Sequence, residues 1–365
     1  MNDTQNTSSY QGIGMRMTRG ILTALNLAVI TCSLAAFAED WSVGKIFHIG
    51  GNGGWDYLTV DPETHRLYVP RSTHTMVVDG ESGKVIADIP GQKRAHGVAI
   101  VPDIGRGFIS DGGGNGAIIV FDLKTNEILG TIAAQPDADG IIYDPASKRV
   151  LVVSGDKGLL MPLKPDIDPK NGKIDDPVDL GGAPEFLAAD GQGKAYINLM
   201  NKNEVVVVDT KAMKVVTRWP VAPGGAPVGL SMDTKQRRLF IGCRNPQKLI
   251  VMDADSGKVL AALPIGQGVD ATKIDDGQAF ASCRDGTLSV ARETSPGKFE
   301  IVETVNTPQG ARTMGIDPST HTIYLPTAEF EEPKVGTTAR PAAKPDTFMI
   351  VTVVGQREHS PETPK

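Results

Sequence analysis

The sequence predicts an all-β fold, a seven-bladed β-propeller of four-stranded blades whose ring is closed by the N-terminal strand pairing in the last blade. Three observations support this prediction. A strand–turn–strand motif recurs along the chain, seven apolar runs end in Asp-Pro or a similar turn, and each end of the chain holds an incomplete blade. Four strands in a repeat of this length are typical of a propeller blade.

The recurring motif is clearest in residues 77–86, where two apolar strands flank a turn after Asp79. Copies align without gaps around Asp122, Asp209 and Asp253. The separation from Asp79 to Asp122 is 43 residues, from Asp122 to Asp209 it is 87, or two periods, and from Asp209 to Asp253 it is 44. One such unit cannot bury both of its faces, so neighbouring units are expected to stack around an axis.

A second marker divides the chain into repeats. It is an apolar run that ends in a turn, and its last residues are Asp61, Val101, Asp144, Asp190, Asp233, Asp275 and Asp317. A strand such as 66–69 or 238–241 follows each marker. Each repeat therefore has one strand before its marker and three strands after it.

The ends of the chain predict the domain boundaries. Residues 1–38 have a basic start, an apolar stretch and the small-x-small sequence Ala36-Phe37-Ala38, which predicts a signal peptide cleaved before Glu39; the alternative is a retained membrane anchor. Residues 39–354 form the predicted propeller, and residues 355–365 form a polar tail. Residues 41–50 are typical of a last strand and residues 348–354 of a third strand, so their union completes blade seven and removes open sheet edges.

Composition restricts the classes of function and the compartment. The chain carries a net charge of −6, which argues against a broad nucleic-acid surface. We expect a periplasmic or secreted monomer with no membrane span after cleavage. Cys243 and Cys283 occupy equivalent positions in adjacent blades, and the sequence leaves open whether they form a disulfide or lie too far apart.

Two segments interrupt the repeats. Residues 163–177 are rich in Asp, and we predict a solvated hairpin loop rather than a calcium-binding loop because Lys170 falls where a ligand would be needed. Residues 331–345 are rich in Pro, Ala, Thr and Lys and predict a flexible loop, with a lid over one face as the alternative.

The chain resembles the YVTN-repeat (YncE-like) family of secreted bacterial β-propellers. The resemblance rests on the motif Val-Val-Asp-x-x-x-Gly-Lys-Val at 77–85, its copies, and the strand Leu67-Tyr68-Val69, and it extends over residues 41–354. The tetrapeptide that names the family is degraded here. The resemblance implies the propeller fold and a range of functions, from ligand or DNA binding to subunits of periplasmic dehydrogenases, with metal-dependent lactonases and lyases among distant members. It assigns no functional residue.

The repeat register predicts which side chains meet at one end of the central channel. The first strand of each blade lines the axis of a propeller, so the residues five positions before the markers share one rim. They are Asp56, His96, Asp139, Glu185, Val228, Asp270 and Arg312. Four converging carboxylates need a cation, raised pKa values or basic partners. Asp56, Asp139, Glu185 and Asp270 are therefore candidate ligands for calcium, manganese or zinc, and the alternative is that the charged groups cap turns around a water-filled channel.

A second layer is expected from the loops after the second strands. It contains Arg71, His74, Arg244 and Arg284, together with Asp111 and the run Gly112-Gly113-Gly114. Arginines in this layer could bind a carboxylate or phosphate in a bidentate manner. The alternative for each is a surface salt bridge.

The sequence favours binding over catalysis, because it contains no nucleophile elbow, no zinc-protease motif, no haem-attachment motif and no dinucleotide fingerprint. The first hypothesis is a binding protein that holds a small polar ligand, a metal or another secreted protein at the channel mouth. The second is a metal-dependent hydrolase or lyase with His96 or His74 as general base. The third is an interaction scaffold for a periplasmic redox enzyme. No catalytic residue and no definite cofactor is assigned.

Overall fold

The structure, a computed structural model, describes residues 40–332 and 340–356, which form seven four-stranded antiparallel sheets. The chain begins with β1 (Asp40–His48) and then builds blades one to three. Their strands are β2 (Thr59–Asp61), β3 (Arg66–Pro70), β4 (Thr75–Asp79), β5 (Val85–Ile89), β6 (Ala95–Val101), β7 (Arg106–Asp111), β8 (Ala117–Asp122), β9 (Ile128–Ala133), β10 (Ala138–Asp144), β11 (Arg149–Ser154), β12 (Leu159–Leu163) and β13 (Val178–Asp179).

Blades four to seven complete the ring. Their strands are β14 (Pro184–Ala189), β15 (Lys194–Leu199), β16 (Glu204–Asp209), β17 (Lys214–Pro220), β18 (Pro227–Asp233), β19 (Arg238–Arg244), β20 (Gln247–Asp253), β21 (Val259–Pro264), β22 (Val269–Asp275), β23 (Gln278–Cys283), β24 (Thr287–Ser295), β25 (Lys298–Asn306), β26 (Gly315–Asp317), β27 (Thr322–Thr327) and β28 (Met349–Gln356). A short 3-10 helix, Pro102–Ile104, replaces the Asp turn of blade two. The predicted all-β, seven-bladed propeller is confirmed.

Blade seven is assembled from both ends of the chain. Its strand order is β26, β27, β28 and β1, so the N-terminal strand is its outermost strand, as predicted. Strand β1 pairs antiparallel with β28, from Asp40 opposite Gln356 to His48 opposite Met349. The edge that β28 would otherwise expose is thereby paired, and blade seven reaches four strands like the other six blades.

The aspartate of the recurring motif caps the turn between the third and fourth strands. Asp79 Oδ1 accepts a hydrogen bond from the Ser82 N–H at 2.8 Å, and Asp122 Oδ1 accepts one from Thr125 at 2.8 Å. The residue four positions after each aspartate has a positive φ in Gly83 (72°), Asn126 (61°), Met213 (49°) and Gly257 (71°). Glycine and asparagine tolerate this left-handed conformation, which explains their presence in three of the four copies; Met213 adopts it in the copy after Asp209.

The aspartate of the Asp-Pro marker caps its own turn and also forms a hydrogen bond to the next blade. Asp317 Oδ1 accepts the Ser319 N–H at 2.9 Å, while its Oδ2 lies 2.6 Å from His65 Nδ1 in blade one. That hydrogen bond raises the pKa of His65. Equivalent contacts join His321 to Asp275 at 2.7 Å and Arg237 to Asp190 at 3.4 Å. The spacing of the markers therefore reflects contacts between blades as well as turn chemistry.

The insertion at 163–177 packs against the ring, so the prediction of a solvated loop is only partly correct. Ile167 and Ile174 are half-buried against the apolar core that blades two and three share. Arg106 Nη1 donates to the carbonyl oxygens of Pro165 at 3.1 Å and Ile167 at 2.8 Å. Blade three consequently ends in the two-residue strand β13.

The segment 331–345 has paired ends. The Glu331 N–H donates to the Ala342 carbonyl at 2.9 Å, and Phe330 forms an isolated β-bridge with Ala343. Residues 333–339 lie outside the described part of the chain. Cys243 and Cys283 are both buried and both free, so the disulfide that the sequence left open does not form.

The predicted signal peptide, residues 1–38, and residues 357–365 of the predicted tail also lie outside the described residues. Strand β28 continues through Gln356, two residues beyond the expected end of the propeller at 354. Within the described residues, no helix combines the length and apolar character that a bilayer crossing requires.

Candidate functional site

The channel mouth is the set of side chains five positions before the markers, Asp56, His96, Asp139, Glu185, Val228, Asp270 and Arg312. In blades two to six the pairing between the first and second strands shifts at this point, for example between Ala95 and Gly97 and between Val269 and Ala271. Such a β-bulge inserts an extra residue and redirects its side chain. His96 and Asp270 are the extra residues in those two blades.

His96 lies between two carboxylates of the mouth. Its Nδ1 is 2.7 Å from Asp56 Oδ2 and 3.4 Å from Asp139 Oδ1. Burial by itself would lower the pKa of His96, but the hydrogen bond to Asp56 and the charge of Asp139 outweigh it and raise the pKa to about 9. Burial also raises the pKa of Asp139 well above its usual range, while His96 opposes that shift. A protonated imidazole thus supplies positive charge to this side of the mouth.

Asp270 is held by two arginines. Arg312 Nε lies 2.5 Å from Asp270 Oδ2, and Arg244 Nη2 donates to Asp270 Oδ1. Burial raises the pKa of Asp270, and the charges of Arg312 and Arg244 act in the opposite direction. Arg312 also donates to the Trp55 carbonyl at 3.1 Å, which links the mouth residues of blades six, seven and one.

Glu185 and Arg284 are the two charged groups here without an ion pair or side-chain hydrogen bond among the described residues. Burial raises the pKa of Glu185 to about 7, an effect that Arg244 opposes and that Asp270 and Asp56 reinforce. Burial and the neighbouring charges of Arg312 and Arg340 lower the pKa of Arg284 to about 10. Both groups are only half-buried, so they remain accessible to a ligand.

Two residues predicted for the second layer have other roles. Arg71 is fully buried and donates to the carbonyl oxygens of residues 50–54, with Nε 3.1 Å from Gly54 O and Nη2 3.1 Å from Asn52 O. Its guanidinium carbon also lies 3.6 Å from the centroid of the Phe348 ring. Arg71 therefore supports the loop before Asp56 and does not offer its guanidinium to a ligand.

His74 is likewise not brought to the mouth. Its described contacts are Thr73 and, at 3.9 Å, Asp88 of the outermost strand of blade one. The glycine run lies in the hairpin loop between β7 and β8, and it leaves space beside the mouth, because a Cβ on Gly112 would come within 2.9 Å of His96 Nε2. Asp111 caps the loop before β6 by accepting the N–H groups of Lys93 and Arg94 at 2.9 and 2.7 Å.

An aromatic layer beneath the mouth was not predicted from the sequence. The residues that directly follow the mouth residues are Tyr57, Gly97, Gly140, Phe186, Gly229, Ala271 and Thr313. Five of them are small, and the rings of Tyr57 and Phe186 meet across the axis with centroids 4.3 Å apart. The Tyr57 hydroxyl donates to the Asp270 carbonyl at 3.2 Å. The contrast of two large and five small residues at one register position could have revealed this layer.

A metal-sized group is present, but its composition differs from the predicted set. Ligand atoms of Asp56, His96 and Asp139 all lie within 4.8 Å of one another. Asp139 Oδ1 and His96 Nε2 are buried without a hydrogen-bond partner among the described residues. Asp270 forms ion pairs with Arg244 and Arg312 instead, and Glu185 does not belong to the group. A divalent ion at this place would have to displace the proton that His96 Nδ1 shares with Asp56.

The His96 pair predicts a pH-dependent stability. Because the pKa of His96 is raised from 6.5 to about 9, its stabilisation is complete below pH 6.5 and is lost as the pH rises through 9. The shift corresponds to about 3 kcal/mol at 1.36 kcal/mol per pH unit. Urea unfolding at pH 6 and pH 9.5 should show that wild type loses this much more stability than His96→Gln. Equal losses in the two proteins would contradict the assignment.

No protein-family model matches the chain. Two proteins described as uncharacterized protein YncE, from Escherichia coli O157:H7 and Escherichia coli strain K12, are each 22% identical over 227 residues, or 58% of this chain. The match spans 63% of the length of these relatives. Among solved structures, hydrazine synthase of Kuenenia stuttgartiensis superimposes with a TM-score of 0.65 at 13% identity, covering 76% of this chain and 94% of that one. The structural likeness shows the propeller fold alone.

Proposed function

We propose that this YncE-like β-propeller is a periplasmic or secreted binding protein that holds a small dipolar ligand at its channel mouth. One observation carries the proposal. After the internal ion pairs of the mouth are formed, Glu185 and Arg284 remain as an acid and a base without an ion pair within residues 40–332 and 340–356. Unpaired charged groups that are partly desolvated are candidates for ligand contacts.

The charges of the mouth are divided between two arcs of the ring. Blades one to four contribute Asp56, His96, Asp139 and Glu185, which is an acidic arc even when His96 is protonated. Blades five to seven contribute Arg244, Arg284 and Arg312 around the carboxylate of Asp270, which is a basic arc. A ligand with an anionic group at one end and an ammonium or hydroxyl group at the other would satisfy both arcs.

The chemistry of each arc defines its part of the ligand. The planar guanidinium of an arginine binds a carboxylate or phosphate with two parallel hydrogen bonds. Glu185, with a pKa of about 7, can accept a hydrogen bond when ionised and donate one when protonated. Export from the cytoplasm is supported by the signal-like pattern of residues 1–38.

A metal-dependent hydrolase or lyase is the second candidate, and the group of Asp56, His96 and Asp139 favours it. A divalent ion there would supply a Lewis acid or a bound hydroxide beside the ligand. A propeller that acted only as a scaffold for a redox enzyme would instead respond to no small molecule. One experiment separates these three functions.

The experiment is a thermal-shift panel on wild type, Glu185→Gln and Arg284→Met, with Arg218→Met as a control whose arginine pairs with Glu204 on an outer blade strand. The panel holds amino acids, hydroxy acids, phosphorylated alcohols, polyamines, dicarboxylates and the chlorides of zinc, manganese and calcium. We expect a dipolar compound to stabilise wild type and the control, and each mouth variant to bind it at least about tenfold more weakly, or 1.4 kcal/mol.

Two results would contradict the proposal. One is that no compound raises the melting temperature of wild type, which leaves the scaffold function. The other is that both mouth variants respond as wild type does. Stabilisation by a metal chloride alone that is lost in Asp139→Asn would favour the metal-dependent enzyme instead.

A further inference from the structure

The aromatic layer of Tyr57 and Phe186 separates the channel mouth from a second cavity. This lower channel cavity has a volume of about 700 Å³ and is lined by Tyr57, Phe186 and the innermost strand residues beyond them, down to Asp190 and Thr234 at the opposite face. None of the mouth residues lines it. Its size is within the range of cavities that hold small organic ligands.

The walls of the lower channel cavity are mainly apolar. Leu58, Val98, Ile142, Leu230 and Met232 line it together with the two aromatic rings. Asp190 is the one carboxylate among its described lining residues. Its Oδ1 accepts the N–H groups of residues 192–194, and Oδ2 lies 3.4 Å from Arg237. The acid is therefore already compensated and does not neutralise a charge inside the cavity.

Lys273 brings a positive charge into this apolar space. Its ammonium lies 5.6 Å from the centroid of the Phe186 ring, and among the described residues it forms no ion pair and no hydrogen bond. Burial alone lowers its pKa, which agrees with the lack of a carboxylate nearby. An ammonium group that loses water without gaining a partner is costly, so the site favours an anion.

Ser231 offers a second polar group at the same depth. It occupies the register position in blade five that Lys273 occupies in blade six. Ser231 is 8% exposed, lines the cavity, and its hydroxyl is buried without a hydrogen-bond partner among the described residues. An ammonium and a hydroxyl thus occupy the same register position on adjacent blades, next to the aromatic layer, and both are groups that donate hydrogen bonds to a carboxylate.

We propose that the lower channel cavity is a second binding site, for an amphipathic monocarboxylate whose carboxylate contacts Lys273 and Ser231 and whose apolar body lies against Phe186, Ile142 and Leu230. One cation compensates one negative charge, which favours a monocarboxylate over a phosphate dianion. This site is independent of the channel mouth, because the Tyr57–Phe186 pair stands between them.

Calorimetric titration of the full chain with octanoate and with 1-octanol tests this inference. The two probes share a chain length and differ in charge. Wild type should bind octanoate at least about tenfold more tightly than octanol, as expected for a charge-assisted hydrogen bond. Lys273→Met should reduce octanoate affinity by about the same factor and leave octanol unchanged, and Ser231→Ala should reduce octanoate affinity by a smaller factor.

Two controls make the result specific. Lys235→Met removes an exposed lysine two residues beyond β18 on the same face and should bind octanoate as wild type does. Ala188→Leu keeps Lys273 but fills part of the cavity, and it should weaken both probes. Octanoate affinity should also decline with rising pH as Lys273 deprotonates, whereas octanol affinity should stay constant.

The inference is overturned if wild type binds no octanoate at millimolar concentration, if it binds both probes equally, or if Lys273→Met retains full octanoate affinity. If Lys273→Met does not fold, the inference is still tested by the affinities of wild type and Ala188→Leu for octanoate and octanol. The mouth variants Glu185→Gln and Arg284→Met should bind octanoate normally, so a failure here is distinct from a failure of the dipolar-ligand site.

Discussion

Replacement of Arg71 by methionine is expected to lower the free energy of unfolding by about 3–5 kcal/mol, the range found when a buried charged hydrogen-bonding group is removed and its partners are left unpaired. Arg71 is fully buried, and its guanidinium donates to carbonyl oxygens of residues 50–54 at distances from 3.1 to 3.4 Å. Methionine keeps the bulk against Phe348 but provides no donor.

Equilibrium urea unfolding of Arg71→Met and of the control Arg218→Met measures this effect. The control breaks a half-exposed ion pair with Glu204, and its cost should be about 0–1 kcal/mol. Because residues 50–54 lead directly into Asp56, Arg71→Met should also weaken ligand binding at the mouth. Equal stability of the two variants would show that the assignment of Arg71 as the support of this loop is wrong.

Substitution of Trp41 by alanine should destabilise the ring by about 3–5 kcal/mol, because a large buried side chain leaves a cavity. Trp41 is 5% exposed in β1 and packs edge-to-face on Phe280 of blade six with ring centroids 4.7 Å apart. Its indole donates to Gln278 Oε1 at 3.2 Å, and its backbone N–H donates to Glu303 at 3.0 Å. Trp41 therefore joins strand β1 to blade six through ring packing and hydrogen bonds.

Ile46→Ala is the matched control for Trp41→Ala. Ile46 lies in the same strand but is 41% exposed, so its truncation should cost no more than about 0.5 kcal/mol. Thermal unfolding followed by circular dichroism gives both values. If Trp41→Ala is as stable as Ile46→Ala, the N-terminal strand does not hold the ring closed.

The sequence predicts the fold well because repeated local chemistry specifies each blade. Asp79, Asp122, Asp209 and Asp253 cap equivalent turns, and the position four residues later adopts a positive φ in each case. Each end of the chain supplies part of one blade, and the pairing of β1 with β28 completes that blade. These features depend on neighbours in sequence or on a fixed repeat, and both can be read from the chain alone.

The register assigns one residue of each blade to the channel mouth, whereas the partners of these residues depend on three-dimensional detail. Counting back from the markers places Asp56, His96 and Asp139 near one another, but only the structure shows an imidazole between two carboxylates. Arg71 differs from the expectation of a ligand contact, although its position after the second strand resembles that of Arg244 and Arg284. What separates it from them is the loop at 50–54, whose carbonyl oxygens surround the guanidinium.

The most direct test of the account is a crystal structure of the protein with the dipolar compound that stabilises it most. We predict that the compound lies at the axis above Tyr57 and Phe186, with its anionic group on Arg284 and its other polar end on Glu185. A compound bound on the outer edge of a blade, with Glu185 and Arg284 in contact only with water, would contradict the central claim that the two charged arcs form a binding site.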